Sequence, residues 1–194
     1  MSKSRKRYIN AMGCEMEGGF RYPLGYPIYG EGVDVPEGEM CINGEELEVR
    51  VGEVQSKPFF RKDLLKHWVK RYFPVITNDD CGFHIHVSFK QDNWHDALAN
   101  EKFNNDFLRD LKRWLKNKKV SKAFQARLDD ENDYCRHEFE GFERGAVHCH
   151  SEHGTIEFRI FSMVITPKLA QQCVDWTFNY VERYLHKLLK NGNS

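Results

Sequence analysis

The chain has no apolar run near the roughly 20 residues that a helix needs to cross a bilayer, and its mean hydropathy is −0.68. No membrane partner is therefore expected. Neither sign of charge is in excess: 29 Lys and Arg balance 29 Asp and Glu, which argues against a general nucleic-acid or membrane-surface binder. There is no CxxC pair. The six cysteines, at positions 14, 41, 81, 135, 149 and 173, form no compact framework, and no stretch reads as a signal peptide. Reduced thiols in a cytoplasm are the expectation. A glycine-rich phosphate loop and a Walker lysine motif are both missing, as are internal repeats and linkers. At 194 residues the chain is most simply one domain, 1–194, with residues 1–7 as a flexible basic leader.

Aromatics are plentiful, at 13%, and there are nine histidines, which leave room for positive charge at mildly acidic pH. The chemistry-bearing stretches share one design. In Cys81–Phe89, CGFHIHVSF, period-two alternation puts Gly82, His84, His86 and Ser88 on one face of a strand and Phe83, Ile85, Val87 and Phe89 on the other. The two imidazoles then stand about 7 Å apart along one face. Gly13, Glu15 and Glu17 alternate with Met12, Cys14 and Met16. Thr155, Glu157, Arg159 and Phe161 alternate with Ile156, Phe158 and Ile160. Each pattern alone has an ordinary reading: a solvent-facing acidic strand, two satisfied histidines or a zinc pair, a cross-strand salt bridge. Gathered on one sheet face, the carboxylates and imidazoles suit divalent ions, with oxygen-rich ligation favouring Mg²⁺ or Mn²⁺. An arginine among them suits a phosphate or carboxylate clamp.

The rest of the chain reads as a frame. Tyr8–Glu17 is a first strand, ended by Gly18-Gly19. Residues 20–44 form a long loop or irregular hairpin. Glu46–Gln55 is a second strand in which Leu47, Val49 and Val51 share a face with Glu53, unless a bulge at Gly52 flips the register. Lys62–Tyr72 has helical spacing. One long amphipathic helix is expected from His95 to about Lys119, basic at its end. An acidic loop or lid covers 129–143, and strands at 144–148 and 154–162 make a hairpin. A last helix runs from Pro167 to about Lys190, capped by Thr166, with Leu169, Cys173, Trp176, Tyr180, Tyr184 and Leu188 as its covering stripe. The expected class is α+β, a mostly antiparallel sheet with helices packed on one face.

Gly13-Cys-Glu15-Met-Glu17, Cys81-Gly-Phe-His84-Ile-His86-Val and Thr155-Ile-Glu157-Phe-Arg159-Ile-Phe resemble the signature strands of the amidoligase family, in the superfamily of glutamine synthetase and glutamate–cysteine ligase. Val51-Gly-Glu53-Val-Gln-Ser-Lys-Pro resembles its acidic second-strand motif more loosely. Arg144-Gly-Ala-Val-His148 sits where that family has an Arg followed by a short strand usually ending in Asn. The resemblance runs over about residues 12–162. It implies a glutamine-synthetase-like fold and an ATP-dependent carboxylate–amine ligase that works through an acyl phosphate. Glu15, Glu17, Glu53, His84 and Glu157 would hold Mg²⁺ or Mn²⁺, and His86 would touch the phosphates of ATP. Arg144 and Arg159 would bind and stabilise the phosphate in flight, with Glu53 joining them in catalysis. Substrates would be a small-molecule or peptide carboxylate and an amine; a nucleic-acid-linked substrate is open but not favoured by the neutral charge. Two other classes stay open: a non-catalytic nucleotide- or metal-binding protein of the same fold, and a zinc module built from Cys135, His137, His148, Cys149, His150 and His153.

Overall fold

The computed structural model describes residues 7–30, 33–91, 93–131, 135–137, 145–150 and 154–191. Runs of alternating apolar residues build six strands: β1 Ile9–Tyr22, β2 Gly38–Ile42, β3 Glu45–Gln55, β4 Gly82–Phe89, β5 Val147–His150 and β6 Thr155–Ser162. They form one sheet in the order β2-β3-β1-β4-β6-β5, and every pairing between them is antiparallel. The three strands singled out by sequence, β1, β4 and β6, are therefore adjacent in space.

Five helices stand among the described residues: α1 Lys62–Arg71, α2 Asn93–Leu98, α3 Glu101–Leu115, α4 Lys122–Leu128 and α5 Pro167–Asn191. The class is α+β, as expected. Met12, Cys14, Met16, Phe83, Ile85, Val87, Ile156 and Phe158 are all buried. Phe158 of β6 packs on Phe107 and Phe103 of α3, with ring centroids 4.6 and 6.3 Å away. Phe107 in turn meets Trp176 and Tyr180 of α5. Burial of each such side chain contributes about 1.5–3 kcal/mol. The Thr166 hydroxyl accepts from the Leu169 amide at 3.2 Å, capping α5 as its sequence predicts. Further along α5, one carboxylate oxygen of Glu182 accepts from the backbone amides of both Tyr8 and Ile9, fastening the start of β1.

Several boundaries differ from the sequence reading, each for a physical reason. Gly18-Gly19 does not end β1: both residues pair with β3, and the Gly19 amide also bonds Ile76 O at 2.9 Å. Within the expected loop, β2 pairs with β3 through a turn at Asn43-Gly44, whose φ values are 53° and 85°. That dipeptide is a common hairpin signal. Nor is there a bulge at Gly52, since the β1–β3 register runs unbroken from Glu15 opposite Gln55 to Tyr22 opposite Glu48. Gly52 instead admits a neighbour: a Cβ there would lie 2.6 Å from Tyr29 O. The Tyr29 backbone crosses at that point and exchanges two hydrogen bonds with Glu53.

The long helix is two helices, because Asn100 adopts an extended conformation and its side chain caps α3 by accepting from Phe103 N. α4, preceding the expected acidic loop, is capped in the same way by Ser121. β6 carries an extra residue opposite β4 between Phe83 and Ile85. This puts Phe161 opposite Phe83 and against Phe124 of α4, in the core rather than beside Arg159. Leu188 is exposed, whereas the adjacent Leu189 packs against the core, so Leu188 falls outside the covering stripe of α5. No helix among the described residues is long and apolar enough to cross a membrane.

Candidate functional site

Residues directly opposed in an antiparallel pair project to the same side of the sheet. Glu15 of β1 is opposite His84 of β4, and His86 of β4 is opposite Glu157 of β6. Three adjacent strands thus deliver two carboxylates and two imidazoles to the face away from the core. Gly13 stands opposite His86, where a Cβ would meet Ser56 Oγ at 3.3 Å, and Glu15 reaches diagonally across. Glu15 Oε2 lies 3.2 Å from His84 Nδ1 and its Oε1 lies 3.1 Å from His86 Nε2. His84 Nδ1 is also 3.1 Å from Glu157 Oε1, so one ring nitrogen bridges two acids. Gly82 provides the floor: a Cβ there would fall 2.4 Å from His84 Nε2.

His84 and Glu157 are 4% and 1% exposed, and burial of charge is costly unless it is paired. Here pairing wins. Burial alone would lift the Glu157 carboxyl, but the bond from His84 and the charges of His84 and Arg159 hold it down at about 2. Burial would lower His84, but bonds to Glu15 and Glu157 push it up to about 9. Burial acts against Glu15 as well, and the bonds from His84 and His86 keep it well below the usual carboxylate range. Two carboxylates thus compete for one buried proton. A divalent cation suits the same position: single donor atoms of Glu15, His84 and Glu157 all lie within 4.8 Å of one another, and two of the three are carboxylates, which favours Mg²⁺ or Mn²⁺.

The remaining predicted residues divide. Arg159 Nη1 donates to Glu157 Oε1 at 2.8 Å, while its buried Nε has no hydrogen-bond partner among the described residues. Glu17 shares the face, but its Oε2 is 2.5 Å from the Gly82 amide that donates to it. Glu53 is opposite Glu17, with its orientation now settled toward the site. Its carboxylate accepts from Gln55 Nε2 at 2.5 Å. Burial, then the charge of Glu15, raises the Glu53 pKa. Glu17 and Glu53 flank the tight group without joining it. Arg144 lies outside the described residues.

Sequence reasoning placed His150 only in the zinc alternative. It belongs here: its Nε2 is 2.7 Å from Glu157 Oε2, and its ring stacks 5.9 Å from that of His86. The alternation of His148 and His150 was its one local signal. Among the described residues, the two groups able to hold a metal are Glu15–His84–Glu157 and His86–His150–Glu157, and neither contains a cysteine. Cys149 is opposite Ile156, on the other side of β5 from His148 and His150, and His137 Nε2 is 2.8 Å from the carbonyl of Arg127. His153 lies outside the described residues. Arg127, passed over by sequence, is only 2% exposed. Its guanidinium donates to the carbonyls of Asp80, Cys81, Arg159 and Phe161. It ties α4 to the ends of β4 and β6 that carry His84 and Arg159.

Fold and site together define an α+β protein with a carboxylate–imidazole cluster on the sheet face opposite its core. Comparison with protein-family models, curated proteins and solved structures finds no match to this chain.

Proposed function

We propose that the chain is an ATP-dependent carboxylate–amine ligase of glutamine-synthetase-like fold, forming an amide through an acyl phosphate and releasing ADP and phosphate. The observation that supports it most is the convergence of Glu15, His84 and Glu157 from three neighbouring strands, in the order of the motifs that resemble the amidoligase family. Bound Mg-ATP supplies the phosphoryl group that activates the substrate carboxylate. Glu15, His84 and Glu157 hold the divalent ion. His86 faces the phosphates. Arg159, with one nitrogen on Glu157 and a buried Nε that has no partner among the described residues, binds an anionic oxygen and lowers the charge cost of phosphoryl transfer. Glu53, with its pKa raised by burial and by Glu15, accepts a proton from the attacking amine. Glu17 holds the Gly82 amide and with it the backbone under His84.

Thermal unfolding tests the nucleotide and metal parts together. A ligand that binds only the folded state raises Tm by mass action. Mg-ATP should raise Tm more than Mg²⁺ or ATP alone, and Glu15→Gln should abolish that gain. An equal gain in wild type and Glu15→Gln would remove Glu15 from the ligand set.

A further inference from the structure

We infer that His86, His150 and Glu157 form a second cation site, distinct from the Glu15–His84–Glu157 group and selective for a borderline transition ion such as Zn²⁺ or Co²⁺ over Mg²⁺. The site needs no nucleotide, and it competes with the ligase reading only for His86 Nε2, which cannot hold a transition ion and touch a phosphate at once.

Three observations carry it. First, register places the residues: His86 is opposite Glu157, and His150 follows His148, which is opposite Glu157 on the other side of β6. A buried carboxylate is thus flanked by one imidazole from each neighbouring strand. Second, the donors converge: His150 Nε2 is 2.7 Å from Glu157 Oε2, His86 Nε2 is 4.0 Å from Glu157 Oε1, and all three donor atoms fall within 4.8 Å. Tetrahedral zinc, with bonds of about 2.0–2.1 Å to nitrogen and oxygen, separates its ligands by about 3.3 Å. Small rotations of two partly exposed rings close the difference. Third, the two oxygens of Glu157 face different neighbours: Oε1 lies 3.1 Å from His84 Nδ1 and 4.0 Å from His86 Nε2, and Oε2 lies 2.7 Å from His150 Nε2. One carboxylate can therefore serve two neighbouring ions.

The donor sets differ in kind. The first group has two carboxylates and one imidazole. The second has two imidazoles and one carboxylate, and nitrogen ligation shifts preference from Mg²⁺ toward Zn²⁺ and Co²⁺. Among the described residues this group has three ligands, two of them partly exposed histidines. His86 offers one Nε2 to this side. A transition ion here and a direct contact from that nitrogen to phosphate exclude each other.

The test uses the full chain, stripped with chelator and titrated with Co²⁺ in excess Mg²⁺ without nucleotide, followed by visible absorption. The expected result is one tight Co²⁺ with the spectrum of a four- or five-coordinate nitrogen–oxygen site, displaced by Zn²⁺. His150→Ala should weaken it by about tenfold or more, and His86→Ala likewise. Circular dichroism checks that the variants are folded, and His150→Gln replaces His150→Ala if the latter is not. Equal Co²⁺ affinity in wild type and the His150 variant, competition by Mg²⁺ on equal terms, or a thiolate charge-transfer band would overturn the site. Failure of ATP turnover would leave this result standing, and loss of this site would leave ATP binding at Glu15 to be judged by its own measurement.

Discussion

At the scale of single residues, His84 is the pivot. Its proton and a divalent ion compete for the space between Glu15 and Glu157, so chelator-treated protein should show its own pH dependence. Glu157 titrates at about 2, below its ordinary 4.5. Its contribution to stability is present above about 4.5 and is lost as pH falls toward 2. His84 titrates at about 9, above its ordinary 6.5, so its contribution is complete below about 6.5 and is lost as pH rises through 9. With chelator, Tm should therefore peak between about pH 4.5 and 6.5 and fall on both sides. With a divalent ion bound, the alkaline fall should shrink, because the ion requires the deprotonated ring. A Tm that stays flat from pH 6.5 to 9 in chelator would contradict the bridging role of His84.

At the scale of elements, β6 joins the two halves of the molecule. Its Phe158 packs into α3, and its neighbours Glu157 and Arg159 face the site. Phe158→Ala should cost about 3–5 kcal/mol by urea unfolding; a cost below 1 kcal/mol would show that α3 does not depend on this contact. The same strands show what sequence can and cannot reveal. Glu15, His84, His86, Glu157 and Arg159 were legible because alternation is local and needs no knowledge of neighbours. His150 was not, because its place at Glu157 depends on how β5 pairs with β6. The core position of Phe161 follows from one extra residue against β4, and the straight register at Gly52 follows from the Tyr29 backbone crossing there; both are set by partners distant in sequence. Asn43-Gly44 and the Asn100 cap are different. Their signals were local, but long-loop and long-helix patterns overrode them.

At the scale of the whole molecule, the sheet separates stability from chemistry. The apolar side chains of β1, β4 and β6 face the helices, and Glu15, His84, His86 and Glu157 gather on the other side. Balanced total charge fits this division: Arg109 pairs with Asp106 and Asp110, Arg113 with Asp110, and Lys112 with Asp129, so much of the basic end of α3 is neutralised locally. The ligase reading makes its sharpest commitment in the nucleotide product. A metal and arginine site acting at the terminal phosphate gives an acyl phosphate and ADP; attack at the inner phosphate gives an acyl adenylate and AMP. The deciding measurement is to incubate the protein with Mg-ATP and pools of carboxylic acids and amines, identify the nucleotide, and search for a new mass equal to acid plus amine minus water. ADP, phosphate and that mass are the predicted result, with Arg159→Ala losing rate far more than nucleotide affinity. AMP and pyrophosphate, or no nucleotide turnover with any pair, would contradict it.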